Sequence, residues 1–193
     1  MRIIAGEWRG QLLETPPGIR PMQDRERERL FSVLGRRVED ATFLDVFAGS
    51  GAIGLEALSR GARVATLVEN GRRVLPVLKR NIESLGAARA LLLPISAFGL
   101  HKSGAPGQHA VDIAVCAPPF PLLEDEALKS RFETLFGYVA RRLLRPGGLF
   151  ILEHPKRLDA PDLGGVGAPK DRRVTAASAL SFYDAPDAGH ELP

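Results

Sequence analysis

A glycine-rich turn between a strand-like and a helix-like segment has the residue types needed to bind a nucleotide-like ligand. In LDVFAGSGAIGLEAL, Gly49, Gly51 and Gly54 have the spacing GxGxxG, after an apolar run that ends at Phe47 and before a helical pattern that begins near Ala52. Glycine lets the backbone pass close beneath a ligand, and the following helix offers free N–H groups at its N-terminus. The same spacing marks NAD-binding sheets and ordinary tight turns, so the motif alone leaves the ligand open.

Two carboxylates near this turn narrow the choice of ligand. Glu69 closes the next strand-like run, TLVE, and in a doubly wound sheet this position faces the ligand crevice. A carboxylate there can accept hydrogen bonds from both hydroxyls of an adenosine ribose, in NAD or in S-adenosylmethionine. Asp45 precedes the glycines, where its charge would repel a pyrophosphate but attract the ammonium and sulfonium region of S-adenosylmethionine. A helix or turn cap is the other interpretation of Asp45.

The elements that must position these residues alternate between two patterns. From Thr42 the order is TFLDVF, AIGLEALSR, RVATLVE, RRVLPVLKRNIESL, LLLPI, VDIAVC, a helical segment from about residue 124 to 144, and GLFILEH. Such alternation predicts parallel strands joined by helical crossovers. The closing RRVTAASALSFY predicts an antiparallel hairpin at the sheet edge.

The segment before Thr42 has its own pattern. Residues 1–14 contain two short apolar runs separated by glycines, which predicts a small hairpin. After Pro16-Pro17-Gly18, residues 23–34 predict a helix with Leu30, Phe31 and Leu34 on one face.

Composition favours a single cytosolic domain. The 193 residues are 45% hydrophobic, enough for one core, and lack the roughly 20 apolar residues in a row that a membrane span needs. The opening MRIIAGEWRG has no apolar region followed by a cleavage site. Cys116 is the single cysteine, so no internal disulfide is possible, and no Cys/His cluster has metal-ligand spacing. We expect no metal.

Charge indicates an RNA partner only weakly, because the net charge is +3. One N-terminal segment contains Arg20, Arg25, Arg27 and Arg29. Its interleaved acids are Asp24, Glu26 and Glu28. Alternating charge is typical of a solvated helix face with local ion pairs, which is the competing interpretation.

Four segments, taken in order, resemble the bacterial 16S rRNA guanine-N2-methyltransferases of the small-subunit type. FLDVFAGSGAIGLEALSRGA resembles the motif I of that family, and IIAGEWRG resembles its N-terminal segment. RPMQDRERERLFSVL resembles its Arg-Pro-Thr-x-Asp-Arg-x-Arg helix, and ALSFY its C-terminal segment. The match spans nearly the whole chain, and the joint pattern is much more specific than the glycine motif.

The resemblance implies a Rossmann-like α/β methyltransferase fold. Its sheet would be mostly parallel and seven-stranded, with a C-terminal antiparallel hairpin and a small N-terminal β-hairpin plus helix. Residues 1–193 would form a single methyltransferase domain, with 1–38 as the hairpin-and-helix extension and 39–193 as the core. The methyl donor would be S-adenosylmethionine, and the acceptor a guanine N2 amine in 16S rRNA or the assembling small subunit. We expect a cytoplasmic monomer with no membrane partner.

The cofactor site follows from the same resemblance. Asp45, Gly49 and Gly51 would line the methionine end of the cofactor, and Glu69 would hold its ribose. Ser96 stands where family members usually have an aspartate that meets the adenine amine; serine still accepts a hydrogen bond, so weaker affinity is expected. The candidate cofactor-binding residues are Asp45, Phe47, Gly49, Ser50, Gly51, Glu69, Asn70, Ser96 and Ala97.

RNA recognition is assigned by the resemblance to the N-terminal part of the chain. Arg20, Pro21, Asp24 and Arg25 would form a loop that covers the cofactor and meets RNA; Met22 replaces the usual threonine there. The candidate RNA-binding residues are Arg9, Arg20, Arg25 and Arg27. Trp8 could stack on a base or on the core.

The catalytic motif departs from the family. After the fourth strand the family has Asp/Asn-Pro-Pro-Tyr/Phe, and this chain has Ala117-Pro118-Pro119-Phe120. A guanine amine is conjugated with its ring and is a poor nucleophile until acceptors hold its N–H groups; the family's side chain and a backbone carbonyl supply them, while an aromatic ring stacks on the flipped base. With Ala117 one acceptor is missing, and the carbonyl of Pro118 and the ring of Phe120 remain. Outside this context, the segment would be a stiff loop with Phe120 in the core.

Three functions therefore stay open. The first is an active methyltransferase that tolerates Ala117, and the second is a non-catalytic relative that binds the cofactor, RNA or both. The third is an NAD-type oxidoreductase, in which Asp45 and the APPF segment would have no role. His154, at the end of ILEH, is expected to be a hydrogen-bonded structural histidine, since methyl transfer to an amine needs no strong base.

Overall fold

The computed structural model describes residues 1–19, 22–163, 166–175 and 178–185. The chain divides into two compact units, Met1–Ala97 and Phe98–Pro193. The predicted extension, residues 1–38, is part of the first unit and is not a unit of its own. The single-domain assignment for residues 1–193 stays a prediction.

The first unit contains three parallel strands and three helices among its described residues. Its elements are α1 Asp24–Leu34, a 3₁₀ turn Gly35–Val38, β1 Thr42–Val46, α2 Ala52–Ser59, β2 Val64–Val68, α3 Leu75–Ser84 and β3 Ala90–Leu93. The strand order within this unit is β3-β2-β1, with Thr42 opposite Val64 and Ala65 opposite Ala90. Every residue of β1 and α2 is buried, as expected of a central strand and the helix that packs on it.

Helix α1 begins and packs as its sequence predicts. Gln23 is the N-cap, and the Glu26 carboxylate reaches back to accept the Gln23 backbone N–H at 3.2 Å, which forms a capping box. Its buried apolar face consists of Leu30, Phe31 and Leu34. The Phe31 ring stacks against Phe43 of β1 with centroids 6.3 Å apart. The charge pattern of this segment therefore coexists with a well-formed apolar face.

The predicted N-terminal hairpin is reduced to a single antiparallel bridge between Arg2 and Leu12. Two backbone hydrogen bonds flank it, from the Ile3 N–H to Gln11 O and from the Leu13 N–H to Met1 O, both at 2.9 Å. The Gly10 N–H also donates to Ile3 O at 2.9 Å. Positive φ angles at Gly6 and Gly10 turn the chain away from extended geometry between the two arms. The segment is therefore a compact loop with short arms.

This N-terminal loop is fixed to α2 by polar contacts. The buried Glu56 carboxylate accepts the N–H groups of Ile4 at 2.7 Å and Ala5 at 3.0 Å, and it pairs with Arg60 at 2.7 Å. Ser59 Oγ accepts the Trp8 N–H at 3.0 Å. Backbone donors that strand pairing would otherwise satisfy are satisfied by helix side chains.

The second unit joins two parallel strands to an antiparallel pair. Its elements are β4 Val111–Cys116, the one-turn helix α4 Phe120–Leu123, a 3₁₀ turn Glu126–Leu128, α5 Lys129–Tyr138, a π-helical turn Val139–Leu143, β5 Leu144–Pro155, β6 Asp171–Val174 and β7 Ser178–Asp184. A further 3₁₀ segment, Ala97–Lys102, precedes them. The order is β4-β5-β7-β6, with β4 parallel to β5 and β7 antiparallel to both β5 and β6. The predicted C-terminal antiparallel hairpin is confirmed.

The single helix predicted from about residue 124 to 144 is wrong in its boundaries. The α-helix begins at Lys129, because Asp125 accepts the Ala127 N–H at 2.9 Å and caps a separate 3₁₀ turn. At the other end the helix widens into a π turn before β5 starts at Leu144. Local capping by an aspartate outweighed the continuous apolar periodicity.

His154 has the structural role expected of it. It is buried on β5, with Nδ1 3.0 Å from Pro155 O and Nε2 2.9 Å from Ser181 Oγ. Burial lowers the pKa of this imidazole. Both ring nitrogens already have partners, so the residue is not free to act as a base.

None of the helices in the described residues is long and apolar enough to span a membrane.

Removing the Glu56 carboxylate should destabilise the protein. In Glu56→Ala the N–H groups of Ile4 and Ala5 lose their acceptor, and we expect a loss of about 3 kcal/mol in the free energy of unfolding, measured by urea denaturation. The matched control is Glu39→Ala, which removes only an exposed ion pair with Arg36 and should cost less than about 0.5 kcal/mol. Equal losses in the two variants would contradict this role.

Candidate functional site

The carboxylate of Glu69 joins the turn after β1 to the turn after β2. Its Oε2 accepts the N–H of Gly49 at 2.9 Å, and its Oε1 accepts those of Asn70 at 2.9 Å and Gly71 at 2.7 Å. The Ala48 N–H also donates to Val68 O at 2.9 Å. One side chain thus fixes both turns at the carboxyl ends of neighbouring parallel strands, which is where ligands bind in open α/β sheets.

The glycine loop has a backbone conformation that ordinary residues avoid. Gly51 adopts φ +83° immediately before α2, and a Cβ there would lie 2.5 Å from Leu78 Cδ1. Phe47 adopts φ 67° although it is not a glycine. Left-handed backbone at a bulky residue costs roughly 1–2 kcal/mol, and such strain concentrates at functional turns. Contacts with the surrounding structure therefore hold the glycine loop in this strained conformation.

Helix α2 approaches β1 closely at Gly54. A Cβ at this position would lie 2.1 Å from Leu67 Cδ2 and 3.3 Å from Asp45 Oδ2. The missing side chain lets the Gly54 N–H donate to Asp45 Oδ2 at 2.8 Å. The third glycine of the motif therefore serves helix–strand packing, in agreement with its role in such motifs.

Asp45 is fully buried and keeps one oxygen without a partner. Its Oδ2 accepts from Gly54, which confirms the capping interpretation for that oxygen. Among the described residues, no donor lies within hydrogen-bonding distance of Oδ1. Burial raises the pKa of Asp45 to about 7, the Gly54 amide opposes this, and the negative charge of Glu69 adds to it. A positive group against Oδ1 would favour the ionised form.

Asn81 of α3 is a residue of this site that the sequence did not single out. Its Nδ2 donates to Ser50 O at 2.8 Å and to Glu14 O at 3.0 Å, and its Oδ1 accepts the Glu14 N–H at 2.9 Å. The side chain is 1% exposed. Glu14 in turn pairs with Arg80 at 2.7 Å, which lowers the pKa of the Glu14 carboxyl. One amide therefore connects the N-terminal loop to the glycine loop.

The remaining cofactor candidates lie around these turns. Asn70 is exposed, and only its backbone N–H contributes to the Glu69 contacts described above. Ser96 is half-buried after β3, and Ala97 is buried at the start of the 3₁₀ segment. The structure thus brings Asp45, Phe47, Gly49, Ser50, Gly51 and Glu69 into one connected loop system.

The APPF segment belongs to the second unit and follows β4. Ala117 is half-buried, Pro118 is buried, and Pro119 is exposed at the start of α4. The Pro119 carbonyl accepts the Leu122 N–H at 2.9 Å. Phe120 is half-buried, so it is not the fully buried core residue of the alternative interpretation.

The four predicted RNA-binding arginines differ in their surroundings. Arg9 and Arg25 are exposed, and Arg20 lies outside the described residues. Arg27 is 0% exposed, so its prediction as an RNA contact is wrong. Its guanidinium donates to Arg2 O at 2.6 Å and Met22 O at 3.2 Å and pairs with Asp24 at 3.0 Å. The helical periodicity that buries Leu30 and Phe31 also turns position 27 inward.

The residues of the first unit fit a cationic nucleoside. A buried carboxyl with an unpartnered oxygen suits an ammonium group. At Gly49 the nearest atoms to an added Cβ, from Ile19 and the Phe47 carbonyl, are 3.9 Å away, so the backbone there has room beside it. Two carboxylates so close to this turn would repel a pyrophosphate, which disfavours the NAD-type alternative.

Fold and loop together define the class. Among the described residues the first unit contains three parallel strands and the second contains four strands of mixed direction, and the chain has a Rossmann-like α/β methyltransferase fold. The sequence pattern of the family described as "Conserved hypothetical protein 95" matches residues 1–184, and the chain belongs to that family.

Several relatives carry the name "Ribosomal RNA small subunit methyltransferase D", among them proteins from Escherichia coli K12 and Haemophilus influenzae. The one from Escherichia coli K12 is 46% identical over 123 residues, which are 62% of this chain and 60% of that protein. The one from Haemophilus influenzae is 34% identical over 160 residues, which are 81% of this chain and 79% of that protein. The match therefore spans less than two thirds of the Escherichia coli relative's length.

A solved structure described as a putative methyltransferase from Escherichia coli is similar over nearly the whole chain. It has a TM-score of 0.79 and 34% sequence identity, and the match covers 96% of this chain and 97% of that one. The family resemblance and the fold class inferred from the sequence are confirmed.

The buried Asp45 should make stability depend on pH. Because the folded-state pKa of about 7 lies above the ordinary aspartate value of 3.8, the contribution of Asp45 to stability is fully present below about pH 4 and is lost as the pH rises through 7. Through this carboxyl we expect the wild type to lose roughly 2–3 kcal/mol in the free energy of unfolding between pH 5 and 8. Asp45→Asn should not show this loss. Urea denaturation across this range measures it. The control Asp40→Asn, at an exposed carboxyl, should keep the wild-type profile, and an unchanged profile for Asp45→Asn would refute the assignment.

Loss of the Asn81 amide should loosen the glycine loop. In Asn81→Ala the carbonyl of Ser50 loses its side-chain donor, and we expect amide hydrogen exchange in residues 47–55 to be about 5- to 20-fold faster, as for a net loss of roughly 1–2 kcal/mol of local stability. Hydrogen-exchange mass spectrometry reports this. Ser84→Ala removes a neighbouring hydroxyl that donates to Asn81 O at 3.1 Å and serves as control. Equal exchange rates for residues 47–55 in the two variants would argue against a stabilising role of Asn81 in the glycine loop.

Proposed function

We propose that this chain is an S-adenosylmethionine-dependent methyltransferase that modifies a guanine N2 amine in 16S rRNA. The observation that carries the proposal is the fully buried Asp45, whose unpartnered oxygen lies beside a glycine loop fixed by Glu69. A dinucleotide would give this carboxyl no partner, whereas an α-ammonium group would. The names of the relatives from Escherichia coli and Haemophilus influenzae support rRNA as the substrate class.

Named residues would hold the cofactor. Asp45 would pair with its ammonium group, the backbone from Phe47 to Gly51 would line its methionine end, and Glu69 would accept the ribose hydroxyls. Each oxygen of an ionised carboxylate accepts more than one hydrogen bond, so Glu69 can accept hydroxyls in addition to its backbone donors. Asn70, Ser96 and Ala97 would surround the adenine. When bound, the cofactor supplies an electrophilic methyl group.

Charge links cofactor uptake to protonation. Asp45 is about half protonated near pH 7, and a cation against its free oxygen lowers its pKa. Uptake of the cofactor near neutral pH therefore releases a proton from this carboxyl. The binding energy includes the relief of an otherwise unfavourable buried charge.

The APPF segment would receive the flipped guanine. The Pro118 carbonyl would accept one amine N–H, and the half-buried Phe120 ring would stack on the base. The side chain of Ala117 is a methyl group, so it supplies no second hydrogen-bond acceptor. Loss of one such positioned group costs on the order of 10²–10³ in rate, so a slow enzyme is expected.

The alanine at position 117 favours a second candidate function. Without an acceptor at position 117, the chain could serve as a cofactor- and RNA-binding module in assembly of the small subunit. Such a module would keep the glycine loop, Glu69 and exposed Arg9 and Arg25 while losing turnover.

The substitution Ala117→Asp separates the two candidates. Methyl transfer from labelled S-adenosylmethionine to unmodified small subunits should be measurable for the wild type and about 10²–10³-fold faster for Ala117→Asp. Ala117→Leu adds comparable bulk without an acceptor and is the control. Nuclease digestion and mass spectrometry should identify N2-methylguanosine.

Three results would count against the methyltransferase proposal. Absence of any calorimetric signal with S-adenosylhomocysteine would remove the cofactor assignment. Binding without transfer in the wild type and Ala117→Asp, where the Escherichia coli relative is active, would favour the binding module. Methylation at another atom would refute the guanine N2 assignment.

A further inference from the structure

A cleft in the second unit lies outside the residues discussed so far. It forms where α5 packs against the 3₁₀ segment, and its lining residues are Phe98, His101, Ser130, Arg131, Thr134, Leu135 and Tyr138. Its volume is about 200 Å³. Pockets for complete small-molecule ligands usually exceed roughly 300 Å³, so this cleft fits a single ring system with its substituent.

The cleft contains a stacked cation. The guanidinium carbon of Arg131 lies 4.2 Å from the centroid of the Phe98 ring. Phe98 also packs edge-on against Phe132, with centroids 4.9 Å apart, which fixes the ring beneath the cation. When one face of a guanidinium stacks on an aromatic ring, its other face and its N–H groups are available to a ligand. Guanidinium planes stack on nucleobases in this way.

The cleft is also lined by a second pair of rings, His101 and Tyr138. Tyr138 is half-buried, and its ring meets that of exposed His101 at 6.2 Å in an edge-to-face arrangement. Thr134 and Ser130, about one and two helical turns before Tyr138, add hydroxyl groups to the lining of the cleft. Aromatic faces, hydroxyls and a guanidinium are the groups with which proteins bind unpaired bases.

The charge around the cleft favours an anion. None of its lining residues is acidic, and the sequence has no Asp or Glu between Glu83 and Asp112, a stretch that includes His101 and Lys102. On α5 the nearest carboxylate in sequence, Glu133, is not among the lining residues. A phosphate beside a base stacked here would meet Arg131 and Lys102 without a competing carboxylate in the cleft.

We propose that this cleft binds one unpaired nucleotide of the RNA substrate, with its base between Arg131 and Tyr138 and its phosphate facing the basic segment. The inference rests on the proposed function, because that function supplies the RNA. The cleft holds RNA at a second place on the protein and is separate from the APPF segment.

Two variants on one helix test the proposal. Arg131→Gln removes the stacked cation, and Lys129→Gln removes the same charge from an exposed ion pair outside the cleft. Affinity is measured by fluorescence anisotropy with a labelled, mixed-sequence, single-stranded 20-nucleotide RNA at fixed salt. We expect Arg131→Gln to weaken binding about 5- to 20-fold and Lys129→Gln less than about 2-fold. Tyr138→Leu, which retains apolar bulk, should also weaken binding about 5-fold or more.

Companion measurements keep the two proposals distinguishable. Calorimetric affinity for S-adenosylhomocysteine should be the same in all three variants, and Arg131→Gln should raise KM for RNA in methyl transfer while kcat stays constant. Ultraviolet cross-linking should join RNA to residues 98–102 or 130–138. Equal effects of Arg131→Gln and Lys129→Gln on RNA affinity would overturn the proposal that this cleft binds RNA. The methyltransferase proposal would stay intact. A wild type that binds S-adenosylhomocysteine but not RNA would overturn both RNA assignments, and equally tight binding of guanosine monophosphate would make the cleft a free-nucleotide site instead.

Discussion

The glycine loop depends on one carboxylate that accepts backbone hydrogen bonds from two directions. Glu69 lies at the end of β2 and contacts the N–H groups of Gly49, Asn70 and Gly71, so both turns are fixed relative to each other before any ligand arrives. Hydrogen bonds to a charged acceptor are stronger than those between neutral groups. The strained φ at Phe47 is tolerated because these contacts determine the path of the loop on either side of it. A preorganised loop reduces the ordering cost of binding.

Sequence reasoning located the residues whose placement follows from local spacing. The glycine motif, Asp45 and Glu69 were recoverable because a strand, a turn and a helix in fixed order place them at one edge of a parallel sheet. It failed where the partner is distant in the chain. Asn81 contacts Glu14 and Ser50, which are 67 and 31 positions away in the chain. No periodicity in the sequence predicts contacts at such separations. Arg27 was misassigned because its charge counted for more than its position on the buried face of α1.

The residues proposed for cofactor binding and those proposed for catalysis lie in different parts of the chain, and they depart from the family pattern at Ser96 and Ala117 respectively. The proposed cofactor residues lie in the first unit, where Glu69 fixes the glycine loop, whereas Ala117 follows β4 in the second. A change at position 117 can therefore reduce turnover without disturbing Asp45 or Glu69. Such separation explains how a chain can keep the features of ligand recognition while its chemistry slows. It also means that binding and turnover must be measured independently.

The docking of the N-terminal loop has a consequence for the order of folding. Its anchors, Glu56, Ser59 and Asn81, come 51 to 67 residues after the backbone groups that they bind. During synthesis the residues of this loop are therefore made before α2 and α3, and their polar groups have no partners until those helices form. The N-terminal loop is therefore fixed later than its place in the chain would suggest, and the glycine loop is connected to Glu14 only after Asn81 of α3 has been made.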